Sequence, residues 1–214
     1  NLRCEYILET LNHIISNRDN VYFTTGVGNH QMQTAQYITW KYPNRFITSG
    51  SLGVMGFGLP SSIGVQLAKP GALVIDIDGD SSFMMTMSDL KTIKEHNLPI
   101  KIMIMNNHSQ KMVEIWEKLF FEERYTATKN KCNPSFVDLA ESFGIKGIYC
   151  NQKTEVESTL QEAIAYDGPV LCEFDIIGDE CLPLMAPGKA LDDLILYQEG
   201  GVKEGFTKDM LPPS

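Results

Sequence analysis

Two runs, LVIDID (Leu73–Asp78) and IKIMIM (Ile100–Met105), constrain this chain more than any other feature. Both are close to continuously apolar, whereas a strand with one wet face would alternate. Such runs suit parallel strands covered by helices on both sides. Four further strand-like runs are Val21–Thr24, Arg45–Thr48, Gly147–Tyr149 and Pro169–Phe174. An opening helix is marked by Leu8, Leu11, Ile14 and Ile15 at helical spacing. Later helix candidates are Gln31–Lys41, Gly58–Ala68, Met84–Glu95, Gln110–Phe120, Pro134–Phe143 and Thr154–Tyr166. Strand and helix in steady alternation predict right-handed crossovers and an α/β fold. The expected architecture is a doubly wound, mainly parallel six-stranded sheet flanked by helices. It occupies residues 1–177, with an extended C-terminal arm at 178–214. Pro183, Pro187 and Gly188 interrupt the pattern there, and one short helix is expected near Leu191–Leu196.

Composition narrows the function classes. A net charge of -9 argues against nucleic acid as a partner, because phosphate backbones are bound by basic surfaces. The five cysteines are scattered, which points to reduced thiols and an intracellular compartment: cytoplasm, mitochondrion or plastid. No apolar run approaches the ~20 residues that span a bilayer, so no membrane association is expected. The chain opens on Asn1 without a signal or transit segment and reads as a piece of a longer product.

Ligands of open parallel sheets bind beyond the carboxyl ends of the strands. LVIDID leads into Gly79-Asp80-Ser81-Ser82, and IKIMIM into Asn106-Asn107-His108-Ser109. Asp80 and Asn107 thus stand one strand–helix–strand unit apart. If the strands are neighbours, both oxygens reach one ion above the sheet. Magnesium favours such hard oxygen ligands, one carboxylate together with substrate phosphates. Gly79 lets the backbone turn sharply, and Ser81 and Ser82 are placed to donate to phosphates and cap the next helix. Gly-Asp after a strand is also a routine turn, and Asn-Asn a routine cap. Their pairing at this spacing is the more specific signal.

Gly79-Asp80-Ser81 followed by Asn106-Asn107 resembles the thiamine-diphosphate signature of the pyruvate-decarboxylating superfamily, with Ser81 where Gly is usual. Longer blocks are similar to the acetolactate synthase catalytic subunit: Thr24–Tyr37, Phe46–Gly64, Val74–Phe83, Gln110–Phe121, Phe136–Gly147 and Leu182–Asp193. The resemblance implies the thiamine-diphosphate-binding fold and both cofactors, thiamine diphosphate and Mg2+. It places Val27, Gly28, Asn29 and His30 against the aminopyrimidine and diphosphate. Gly53 and Met55 lie under the bent cofactor, with Met55 wedged between its rings; core filling is the plainer reading of that methionine. The magnesium ligands are Asp80, Asn107 and the Ser109 carbonyl. Gln110, Lys111 and Met112 wrap the diphosphate, and Lys111 stands where the family usually has Gly. That substitution implies either backbone strain or an added charge beside the phosphates. Val113, Trp116 and Phe120 share a helical face; spacing alone suggests a buried stripe, and the resemblance suggests the pocket for substrate and inhibitors.

The implied reaction decarboxylates pyruvate and joins the two-carbon unit to a second 2-keto acid, pyruvate or 2-ketobutyrate, in branched-chain amino acid biosynthesis. No catalytic residue is assigned to this chain. The family's activating glutamate lies on an N-terminal domain, usually of a partner subunit, and FAD belongs to a central domain. Neither domain is matched, so a homodimer or tetramer is expected, in some members with a regulatory subunit, and this chain alone is expected to be inactive. Other thiamine-diphosphate decarboxylases, oxidases or carboligases, and an inactive cofactor-binding module, are the alternatives. A dinucleotide-binding reading fails, because Gly26-Val27-Gly28 lacks the third glycine at the required spacing.

Overall fold

The computed structural model describes residues 2–177 together with 197, 198, 201 and 202. Each of the six expected runs is a strand: β1 (Val21–Thr25), β2 (Phe46–Thr48), β3 (Leu73–Gly79), β4 (Lys101–Asn106), β5 (Lys146–Cys150) and β6 (Val170–Asp175). They form one sheet in the order β2-β1-β3-β4-β6-β5. Every neighbouring pair in it is parallel. Tyr197–Gln198 pairs antiparallel with Gly201–Val202. The helix expected near Leu191–Leu196, the rest of the arm and the Leu182–Asp193 block lie outside the described residues.

Side-chain alternation along the central strands divides the core into two layers. Ile75, Ile77, Met103, Met105, Cys172 and Phe174 face one cluster. It is covered by α1 (Cys4–Ile14), α2 (Asn29–Tyr37) and α8 (Val156–Ala165). Val74, Ile102, Ile104 and Leu171 face the other. There α3 (Gly58–Ala68), α4 (Asp80–Met84), α5 (Leu90–Glu95) and α7 (Phe136–Ser142) supply Leu59, Phe83, Leu90, Ile93, Phe136 and Ala140. This double cover buries β3 and β4 along nearly their whole length, including the polar residues Asp76, Asp78 and Lys101. Among the described residues, Cys132, Cys150 and Cys172 are free thiols.

One expected helix is broken. Met84–Glu95 divides into the end of α4, a 3₁₀ turn at Met87–Asp89, and α5. At the break the Thr86 hydroxyl donates to the Gly56 carbonyl at 3.0 Å, a tertiary bond that draws the backbone out of helical register. By contrast, α7 carries a side-chain cap: Ser135 Oγ accepts from the Asp138 amide at 3.1 Å. Ser135→Ala is expected to cost about 1 kcal/mol in a denaturant titration. An unchanged midpoint would mean that water replaces the cap at no cost.

Candidate cofactor site

The chain leaves β1 towards β2 on one side and returns through α3 to β3 on the other, so the winding direction reverses between β1 and β3. Ligands bind at the carboxyl ends of strands at such a reversal. A cleft of about 210 Å3 opens there. From the end of β1 it is lined by Val27, Gly28, Asn29 and His30, and from the loop after β2 by Gly53 and Met55. Gly79, Asp80, Ser81 and Ser82 line it from the end of β3. Asn107, Ser109, Gln110, Lys111, Met112 and Val113 line it from the end of β4 and the start of α6 (Lys111–Phe120). β3 and β4 are direct neighbours, with Gly79 opposite Met105, which puts the Asp80 and Asn107 loops side by side.

Glycine is required at specific points of this wall. A Cβ on Gly26 would lie 1.8 Å from Asp78 Oδ1, and one on Gly79 2.8 Å from His30 Nδ1. Gly53 has φ +63 and Gly56 φ +82, in the left-handed region. Ser82 lines the cleft and also ties its wall together. Its hydroxyl accepts from the Gly56 amide at 2.9 Å and the Val27 amide at 3.4 Å, joining the loops that follow β1, β2 and β3. Neither Ser81 nor Ser82 caps α4, because that helix begins at Asp80 and both serines sit inside its first turn.

Asp80 is buried, and its Oδ2 accepts two side-chain amides, Asn130 at 2.8 Å and Asn133 at 2.7 Å. Burial pushes its carboxyl above the usual range, and these amides pull it back. Asn107 Oδ1 accepts from the Ser109 amide at 3.1 Å. Among the described residues no three His, Cys, Asp or Glu side chains cluster as metal ligands. The donors at hand are therefore one carboxylate with neutral amide and carbonyl oxygens. That set fits magnesium completed by phosphate oxygens rather than zinc. Asn130 and Asn133 escaped the sequence reading: they lie in coil without periodicity, and only their bonds to Asp80 reveal them.

Beneath the cleft, Asp76 and Asp78 are fully buried on the α3 face of β3, in the space that Gly58 and Gly26 leave open. Thr24 Oγ1 donates to Asp76 at 2.7 Å, and the Gly79 amide to Asp78 at 2.9 Å. The second oxygen of each has no hydrogen-bond partner among the described residues. Burial raises both carboxyls, Asp76 well above the usual range and Asp78 to about 7. The same burial lowers His30 to about 3, against a bond with the Gly26 backbone that works to raise it. His30 Nε2 lies 3.5 Å from Asp78 Oδ1, but a neutral imidazole at this distance makes neither an ion pair nor a hydrogen bond.

These shifts have opposite signs in stability. His30 is lowered on folding, so its contribution is full above pH 6.5 and is lost as pH falls towards about 3. Asp78 is raised, so its contribution is full below pH 3.8 and is lost as pH rises through about 7. The two slopes oppose each other between those limits. His30→Gln removes one of them. The stability difference, wild type minus variant, should grow with rising pH from about 3 to 6.5, by at most about 1.4 kcal/mol per pH unit. Parallel pH–stability curves for the two proteins would show that His30 does not titrate this way.

At the start of α6, Lys111 is helical and is not among the non-glycine residues of positive φ, so the strain expected there is absent. Its ammonium lies 3.3 Å from Glu114 Oε1. Burial works to raise the Glu114 carboxyl, but the Ser109 hydroxyl and the Lys111 and Lys129 ammonium groups outweigh it and hold the group low. Further along, Trp116 and Phe120 contact each other with ring centroids 5.1 Å apart. They are 58% and 64% exposed, and Val113 is 46% exposed, so the buried-stripe reading is wrong. Val113 lines the cleft, whereas Trp116 and Phe120 continue outward from it.

Fold and cleft together define a cofactor-binding α/β domain wound about a switch point. The profile of the thiamine pyrophosphate enzyme C-terminal TPP-binding domain matches residues 26–174, and the chain belongs to that family. It is 48% identical over 179 residues to the mitochondrial acetolactate synthase catalytic subunit of Saccharomyces cerevisiae, covering 83% of this chain and 26% of that protein. Against the Aspergillus candidus catalytic subunit the identity is 42% over 200 residues, covering 92% and 28%. For the isozyme 2 large subunit of Escherichia coli it is 44% over 173 residues, covering 80% and 32%. The chain therefore spans 26% to 32% of the length of these relatives. The resemblance to acetolactate synthase read from the sequence blocks is borne out.

Proposed function

We propose that this chain is the diphosphate- and magnesium-binding part of an acetolactate synthase. The observation that carries the reading is the meeting of the Gly79–Ser82 and Asn107–Met112 loops at the ends of two adjacent parallel strands. Asp80, Asn107 and the Ser109 carbonyl would hold Mg2+, and the amides at the start of α6 would face the phosphates. Val27–His30 and Met55 would contact the organic part of the cofactor from the opposite wall. When bound, thiamine diphosphate supplies the electron sink needed to decarboxylate a 2-keto acid. The chain's own share is to anchor the diphosphate, shape the cleft through Gly53, Gly79 and Met55, and border the substrate approach with Val113, Trp116 and Phe120.

The full-length protein would convert pyruvate to acetolactate, or with 2-ketobutyrate to its homologue, as an oligomer of at least two subunits. A regulatory subunit would be a further partner, and FAD would be held outside this domain. Relatives named mitochondrial and chloroplastic support an organellar site of action. Among the described residues no helix is long and apolar enough to cross a membrane. The test is product identification with pyruvate, magnesium and thiamine diphosphate, using the full-length protein. Acetolactate supports the reading. Acetaldehyde or acetyl phosphate would move the assignment to a sister enzyme, and bound cofactor without product would leave an inactive binding module. This chain alone is expected to show no turnover.

A further inference from the structure

We propose that Asn130 and Asn133 are positioning residues: their paired amides fix the Asp80 carboxylate so that its Oδ1 is the atom presented to a divalent cation. This inference rests on the metal reading of Asp80 given above. Both amides meet the same oxygen, Oδ2, at 2.8 and 2.7 Å. A carboxylate oxygen has about two lone-pair sites, so Oδ2 is saturated and only Oδ1 remains for coordination.

Each amide is itself held by a second partner. Asn130 Nδ2 also donates to Ser81 Oγ at 2.7 Å, and Asn133 Nδ2 to Asn106 Oδ1 at 2.9 Å. Asn106 in turn donates to Glu173 Oε1 at 2.8 Å, while Glu173 Oε2 accepts the Phe136 amide at 3.0 Å. The chain from Glu173 through Asn106 and Asn133 to Asp80 fixes the carboxylate from the sheet side. From above, residues 128–130 are strapped to the β4 loop. Gln110 N donates to Thr128 O at 2.7 Å, Asn130 N to His108 O at 2.8 Å, and Ser109 bridges Lys129. The strap thus couples one candidate ligand loop to the other. Outer partners of this kind orient a metal ligand and commonly contribute 10- to 100-fold in affinity.

The test is an Mn2+ titration of the full-length protein, followed by electron paramagnetic resonance with thiamine diphosphate present. Asn130→Ala and Asn133→Ala are each expected to weaken Mn2+ binding by about 10- to 100-fold. Asn133→Leu, which keeps the volume but removes the donor, should lose as much as Asn133→Ala. A merely structural role would lower the thermal midpoint and leave the Mn2+ affinity of the folded protein unchanged. That result, or recovery of affinity in Asn133→Leu, would overturn the inference. Asp80→Ala serves as reference: if it binds Mn2+ like the wild type, the metal reading itself fails. If Asp80→Ala loses the ion while both Asn variants retain it, the metal reading stands and the positioning role alone is refuted.

Discussion

Asp80→Ala in the full-length protein is expected to abolish acetolactate formation and to weaken magnesium-dependent thiamine diphosphate binding by more than about 100-fold, beyond the range of outer-shell changes. The fold should survive. Asp80 is buried at a desolvation cost, and the amides it leaves behind keep other acceptors, Ser81 Oγ for Asn130 and Asn106 Oδ1 for Asn133. Each amide does lose the acceptor of one N–H, at about 1–3 kcal/mol for a group that stays unpaired, but both sit part-buried at the cleft, where water can take the place of the carboxylate. Calorimetric titration with and without magnesium separates cofactor affinity from turnover. A variant that binds thiamine diphosphate as tightly as the wild type would remove Asp80 from the site.

The second large effect is on the scaffold. A Cβ at Gly58 would lie 2.5 Å from the Gly26 backbone nitrogen, 2.6 Å from Asp76 Oδ1 and 2.7 Å from the Thr25 carbonyl carbon. Two of these are backbone atoms and the third belongs to a buried, hydrogen-bonded carboxyl, so no flexible side chain can give way. Gly58→Ala must push α3 away from the end of β1. The expected cost is about 3 kcal/mol, the upper part of the overpacking range, or a fall of roughly 6–12 °C in Tm for a chain of this size. Gly64→Ala, at a position with nothing within 4 Å of the added carbon, is the control and should not destabilise. Equal Tm values for the two variants would show that α3 shifts without cost.

The sheet was legible because its central strands are covered on both faces and so are mostly apolar runs; in β3 Asp76 and Asp78 alternate with Ile75 and Ile77 as on a wet strand, yet they too are buried. The ligand loops were legible for a related reason, since polar residues directly after such runs must stand at the sheet's open end. What escaped detection depends on contacts between distant segments. The break after Met84 comes from the Thr86 bond to Gly56, a residue in another loop. The amides on Asp80 come from coil 50 and 53 positions further along, where no periodicity announces them. The outward display of Trp116 could not be read either, because helical spacing marks a face without saying whether core or solvent meets it.

The all-parallel sheet also sets the order in which the chain can be built. No two of its strands are joined by a hairpin, so every pairing must wait for a crossover to close, and topologies dominated by such non-local contacts fold slowly. β4 carries the heaviest consequence. Its outer neighbour is β6, the last strand of the sheet, and β5 is added beyond β6 rather than beside β4. Until Val170–Asp175 has been synthesised and docked, IKIMIM is an open apolar edge of strong β-propensity, the kind of segment that recruits other chains. The nascent protein is therefore most exposed to aggregation just before β6 arrives, and its yield should depend on chaperones that shield that one edge.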